Sequence, residues 1–243
     1  WDAAFAAIGG DIYGMYPVAP SSVTGIGTAS YTFAQKYTEA TESWTAIFPY
    51  LTTPYTAYEA EGISSKFYAF GSTSAILSSG EMIPVAWDPA TETWDESLVA
   101  YSAHPHFYGA SSAHVSDDKA YLYGGVSIDS VGAYSSLTNT LNIFDVSAGW
   151  SAGNSSSTSR ASMGAAQDDG VIYFAGGLTL TANNTWSVTS FLTTHESYTI
   201  ASNTWATETV LSAAAHDKGA LGSLGDNKIY WVGGSTALNT YTD

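Results

Sequence analysis

The chain contains no cysteine, only six Lys and Arg together, and no long apolar run. Without cysteine there is no disulfide, no thiolate metal centre and no cysteine nucleophile. No apolar stretch approaches the ~18 residues that a membrane-spanning helix needs. Set against 22 Asp and Glu, the few basic residues leave a formal net charge of -16. Nucleic acid and anionic lipid both demand a cationic face, so neither is an expected partner. Such a surface suits cations, basic partners or neutral ligands such as glycans. Lysine is scarce beside abundant Ser, Thr, Ala, Gly and Tyr, a composition that reads as secreted or cell-surface. The chain starts at Trp1 rather than Met and carries no signal peptide, which reads as a processed product or a fragment.

What is present is a block that recurs through the whole chain. A β-rich run closes on glycine five times: AAFAAIGG to Gly10, KFYAFGS around Gly71, KAYLYGG to Gly125, VIYFAGG to Gly177 and KIYWVGG to Gly234. Behind the first four runs comes an aromatic (Tyr37, Trp87, Phe144, Tyr198) and then a tryptophan (Trp44, Trp94, Trp150, Trp205). Successive tryptophans lie 50, 56 and 55 residues apart. Asp-Asp-Lys, Asp-Asp-Gly and Gly-Asp-Asn-Lys centres between alternating runs are hairpin chemistry. Four antiparallel strands, repeated, cannot bury both faces alone and must stack around an axis, as in an all-β propeller. The repeated tryptophans are expected to pack between blades.

These residues resemble the kelch family of propellers. Trp87-Asp-Pro-Ala-Thr-Glu-Thr-Trp94 is close to the family's third-strand, turn and fourth-strand text, and the resemblance covers essentially the whole chain. The second copy departs from it at Gly71-Ser72, and the third-strand aspartate survives only at Asp88 and Asp145. Aligned this way, 1-243 is a single propeller domain or fragment with blade units near 1-48, 57-97, 108-153, 161-208 and 217-243. The first unit lacks its leading strand and the last its Trp strand. The expectation is three complete and two partial blades, part of a six- or seven-bladed ring, or of a five-bladed one short of about half a blade. Kelch propellers serve as interaction scaffolds, lectin-like binders and occasional enzymes, so the resemblance leaves activity open. Relatives that are copper-radical oxidases need a Tyr–Cys cross-link, which this sequence cannot form.

Binding is expected on the face that carries the longer loops, near 11–30, 72–83, 126–139 and 178–194, and the blade links. Candidate ligand or partner residues are Tyr13, Tyr16, His104, His106, Tyr134, Trp186, His195 and His216. Asn154 and Asn183 head glycosylation sequons. His104-Pro-His106 lacks a third ligand, so no metal site is assigned. Acidic loops would suit Ca²⁺, but none has a calcium-loop spacing, and no cofactor is expected. Paired carboxylates such as Asp117/Asp118 and Asp168/Asp169 recur because the hairpin turn recurs. The leading expectation is a non-enzymatic extracellular scaffold whose partner is a protein, a second copy or a glycan. The alternative is a carbohydrate-active enzyme or lectin with its site at the mouth of the propeller channel.

Overall fold

The computed structural model describes residues 4–17, 32–49, 51–52, 55–73, 82–101, 111–116, 118–128, 134–180, 188–211, 220–237 and 240–241. Among them the chain is all-β apart from a 3-10 turn at Glu39–Thr41. It falls into two units, Trp1–His106 and Phe107–Asp243. The first unit holds two antiparallel meanders. They are β1 (Ala4–Ile8), β2 (Asp11–Pro17), β3 (Thr32–Thr38) and β4 (Ser43–Ala46), then β5 (Tyr55–Ile63), β6 (Lys66–Thr73), β7 (Ile83–Asp88) and β8 (Thr93–Asp95).

The second unit repeats the plan with an addition. Its third blade runs β9 (Ser111–Ser116), β10 (Lys119–Tyr123), an inserted hairpin β11 (Val126–Ile128) and β12 (Tyr134–Leu137), then β13 (Leu141–Asp145) and β14 (Gly149–Ala152). The fourth runs β15 (Gly164–Asp168), β16 (Val171–Ala175), the hairpin β17 (Leu178–Leu180) and β18 (Val188–Phe191), then β19 (His195–Thr199) and β20 (Thr204–Thr207). Two strand pairs follow, β21 (Ala220–Ser223) with β22 (Ile229–Val232), and β23 (Ser235–Ala237) with β24 (Thr240–Tyr241).

Among the described residues there are therefore four complete four-stranded blades, not the three complete and two partial ones that the sequence implies. The discrepancy lies at Gly9-Gly10. The sequence alignment takes this pair as the end of a second strand and Asp11 onward as a loop. It is instead the hairpin turn between β1 and β2, with Ile8 facing Asp11 and φ of +59° and +92°. A two-residue hairpin turn of this kind needs φ > 0 at both central residues, and Ser64-Ser65 and Asp169-Gly170 meet the same demand elsewhere. The pairs that do end second strands need glycine for a further reason. A Cβ at Gly124 would stand 2.4 Å from the Arg160 carbonyl oxygen, and one at Gly177 would stand 2.7 Å from that of Ala161. Nothing lies within 4 Å of a Cβ at Gly9 or Gly10.

Each blade pairs its aromatic with its tryptophan directly across β3–β4, β7–β8, β13–β14 or β19–β20. Ring centroids are 5.3 Å apart for Tyr37–Trp44, 5.3 Å for Trp87–Trp94, 5.1 Å for Phe144–Trp150 and 5.3 Å for Tyr198–Trp205. Cross-strand aromatic pairs of this kind stabilise a sheet from one face. Two of the tryptophans also reach the preceding blade. Trp94 Nε1 donates to Pro49 O at 2.9 Å, and Trp205 Nε1 donates to Asn154 O at 2.7 Å. Trp205 further packs 4.8 Å from Tyr123 and 5.5 Å from Phe174. The inter-blade role expected of the repeated tryptophans holds at these two positions, whereas Trp44 stands 44% exposed beside Phe5.

Candidate functional site

Arg160 is the chain's single arginine and is wholly buried. Its guanidinium donates to Thr194 O at 2.8 Å, Gly176 O at 3.0 Å, Phe174 O at 3.2 Å and Glu196 Oε2 at 2.9 Å. It also lies 5.4 Å from the centroid of the Tyr123 ring. Glu196, equally buried, accepts on Oε1 from Ser156 at 2.7 Å and from Ser157 and Thr158 at 3.3 Å each. The Tyr123 hydroxyl proton is shared between Thr158 O and Glu196 Oε2, and burial pushes that hydroxyl's pKa up, so it stays a donor. Both carboxylate oxygens are thus engaged, which makes Glu196 an anchor. The cluster fixes the segment leading into β15 and the strand ends from which the β17–β18 hairpin departs. The repeat pattern marks neither residue. The available signal was a lone arginine in an acid-rich chain, with a glutamate two positions before the third-strand aromatic.

Next to this anchor the two inserted hairpins share a small core of their own. Val126, Ala161 and Leu178 are buried, with Leu137, Leu180, Val188 and Phe191 packed against them. On the outer side Thr179 Oγ1 lies 2.8 Å from Thr189 Oγ1 and 2.6 Å from Ser190 Oγ.

The first unit contains a cavity of about 310 Å³ between the β3–β4 edge of one blade and the β7–β8 turn of the next. Tyr13, Lys36, Thr45, Phe48, Trp87 and Glu92 line it. Tyr13 and Trp87 are buried and form its floor, while Phe48 is 59% exposed. Lys36 pairs with Asp11 at 3.1 Å, and this bond holds the ammonium pKa above its usual value. At the matching place in the second unit, side chains are bonded across from one blade to the next. There Asn203 takes the position of Glu92, both with φ near +54°, one residue before the fourth strand. Tyr198 OH donates to Asn203 Oδ1 at 2.8 Å, and Asn154 donates to the same oxygen at 2.8 Å and to Asn203 O at 2.6 Å.

Of the candidate ligand or partner residues singled out in the sequence, Tyr13 and His195 have described side chains, on β2 and β19. Tyr13 sits on β2, packed 6.1 Å from Phe67, on the cavity floor. His195 sits on β19, with Nδ1 3.2 Å from Thr209 O and its ring 5.8 Å from Tyr173. Its Nε2 is buried without a partner among the described residues. Asn154 is at the surface, tied to Asn203 as above. Tyr16 and Tyr134 lie on β2 and β12, their side chains outside what the structure describes. His104, His106, Trp186, His216 and Asn183 lie outside the described residues, as do 18–30 and 74–81 of the predicted long loops, whereas the described parts of 126–139 and 178–194 form the hairpins β11–β12 and β17–β18. Among the described residues no three His, Asp or Glu are placed to hold a metal, and no helix is long and apolar enough to cross a membrane. Asp88 and Asp145 bond their own turns: Ala90 N–H donates to Asp88, and Ser147 N–H to Asp145.

No protein-family model and no curated protein matches the chain. Among solved structures it is similar to one described as "Structure of YjhT", with 16% identity and a TM-score of 0.75, covering 98% of this chain and 78% of that one. At that identity the likeness concerns the fold alone, and together with the four-stranded blades it supports a β-propeller.

Proposed function

We propose that the chain is a kelch-type, non-catalytic binding scaffold, secreted or at the cell surface, that engages a protein, a second copy or a glycan through the end carrying its longer connections. The observation that carries this reading is the pair of hairpins β11–β12 and β17–β18. They extend past what the blades need for pairing, share their own apolar core, and rest on the buried Arg160–Glu196 anchor. A rigid platform beneath variable connections is how scaffolds present binding residues. Segments 129–133 and 181–187, the latter carrying Trp186, connect the strands of these hairpins. The kelch assignment draws support from the four aromatic–tryptophan pairs and from the text Trp87–Trp94.

The test replaces residues 181–187 with a Gly/Ser segment and compares it with the parent chain on a glycan array, against extracellular proteins and in self-association. Saturable binding to one of these classes, lost in the replacement at unchanged melting temperature, is the expected result. Binding that survives the replacement overturns the platform. Turnover of a glycoside, abolished by substituting His195 or His216, overturns the non-catalytic reading.

A further inference from the structure

We propose that the crevice between the first two blades is a binding site for a small neutral saccharide, separate from the hairpin platform and independent of it. The inter-blade crevices of the two units differ. The same wedge exists in both units, because strands that radiate from an inner edge must diverge outward. In the second unit a hydrogen-bonded bridge crosses the wedge. Gly153 admits the Tyr198 hydroxyl, which a Cβ there would meet at 3.2 Å, and Asn203 ties that hydroxyl to Asn154. In the first unit every element of the bridge is replaced. Trp87 stands for Tyr198 and brings no hydroxyl, Glu92 stands for Asn203, and Ile47-Phe48 stands for Gly153-Asn154. The result is an open cavity of about 310 Å³.

The lining chemistry selects the ligand. Its volume of about 310 Å³ falls at the lower end of the roughly 300–1,000 Å³ typical of small-molecule sites, which suits a mono- or disaccharide. Phe48, 59% exposed, adds aromatic surface to the lining, against which the C–H groups of a pyranose can rest. Around it stand an ammonium, a carboxylate and the Thr45 hydroxyl, which together donate to and accept from hydroxyl groups. The charge of Lys36 is already answered by Asp11 at 3.1 Å, so Glu92 leaves the site with excess negative charge in a chain of net charge -16. That balance disfavours an anionic sugar or a carboxylate ligand. Lys36 also keeps donor protons beyond the one given to Asp11, and an organic cation would face that ammonium at short range. A neutral polyol is the class that uses every group present and offends none.

The experiment titrates the ¹⁵N-labelled chain with methyl glucoside, methyl galactoside, N-acetylglucosamine and cellobiose, with gluconate and tetramethylammonium as charged controls. Saturable shifts at Thr45, Phe48 and Glu92 with at least one neutral sugar, and none with the controls, are expected. Phe48→Ala and Glu92→Asn should each weaken that binding at least tenfold. Glu92→Asn introduces the residue that the second unit carries at this left-handed position, so the turn survives and loss of binding is not loss of fold. No shift with any neutral sugar overturns the proposal, as does binding indifferent to both substitutions. A response to gluconate or tetramethylammonium alone overturns the ligand class. Replacement of 181–187 should leave these shifts intact, which separates this site from the platform.

Discussion

In the first unit the junction between blades is apolar at its centre. Met15, Ala69 and Val85 are buried there, and one hydroxyl, that of Tyr55, is shared between the carbonyls of Ala69 and Ile83. In the second unit the corresponding places hold Tyr123, Phe174 and Glu196, and Arg160 stands where Tyr55 does. Its guanidinium donates to Phe174 O and Thr194 O, the counterparts of those same two carbonyls, and needs Glu196 to balance its charge. Both junctions meet one requirement, since buried carbonyls at the strand ends must be paired. One meets it with a phenol, the other with an ion pair and a shell of hydroxyls. What the fold demands here is a donor, and the charge is a local choice with its own desolvation cost.

That view is broken or sharpened most strongly at Arg160. Arg160→Ala strands a buried carboxylate and several carbonyls, and should cost about 3–5 kcal/mol of unfolding free energy. Adding the chemistry of the other junction, as Arg160→Tyr with Glu196→Val, should recover most of that loss, because well-packed apolar groups commonly replace a buried pair at little cost. Urea unfolding followed by tryptophan fluorescence measures both. A double variant as unstable as Arg160→Ala would mean that the junctions are not interchangeable.

The tryptophans supply the next largest contrast. Trp205 closes on Tyr123, Phe174 and Tyr198 and bonds the preceding blade through Asn154, so Trp205→Ala should cost about 3 kcal/mol. Trp44 makes the same cross-strand pair but is 44% exposed, and Trp44→Ala should cost below about 1 kcal/mol. Equal losses at the two sites would show that the pair within a blade, rather than the contact between blades, carries the energy. Tyr55→Phe comes third, at about 1–3 kcal/mol, since it removes the one donor that two buried carbonyls share. A loss near zero would show those carbonyls to be satisfied without it.

Much of this architecture is legible in the sequence. The aromatic and tryptophan of each repeat face each other across the predicted third and fourth strands, because a short turn fixes that register. Asp145 caps its own turn as its position implies. The sequence pattern misplaces the strands of the first blade because Gly9-Gly10 and Gly176-Gly177 satisfy the same backbone demand, and only the close carbonyl at Gly177 distinguishes them. The crevice was invisible for a different reason. It depends on which residue follows a fourth strand and which occupies the left-handed position of the next blade, some 45 residues away. No local pattern carries that pairing. Arg160 and Glu196, 36 residues apart, escaped on the same ground.

The smallest contrast concerns two aspartates at the ends of β7 and β13. Both are held below the ordinary carboxylate value of 3.8, Asp145 at about 2. For Asp145 the leading cause is the Ser147 hydroxyl at 2.6 Å, joined by the N–H groups of Ser147 and Ala148, with Lys119 last at 3.4 Å. For Asp88 the leading cause is Lys66 at 3.0 Å, followed by the Ala90 N–H. A carboxyl whose folded pKa is depressed stabilises the fold above its unfolded value, and that contribution drains away as pH falls from about 4 toward the folded pKa. The two should part when salt is added. Screening at ~1 M shrinks the reach of an exposed ion pair to a few ångströms, while hydrogen bonds within a turn are little affected. Carboxyl titration by NMR, assigned with Asp88→Asn and Asp145→Asn, should show Asp88 rising toward 3.8 with salt while Asp145 stays near about 2. If Asp145 moves as far as Asp88, the lysine holds its charge, and the turn only positions it.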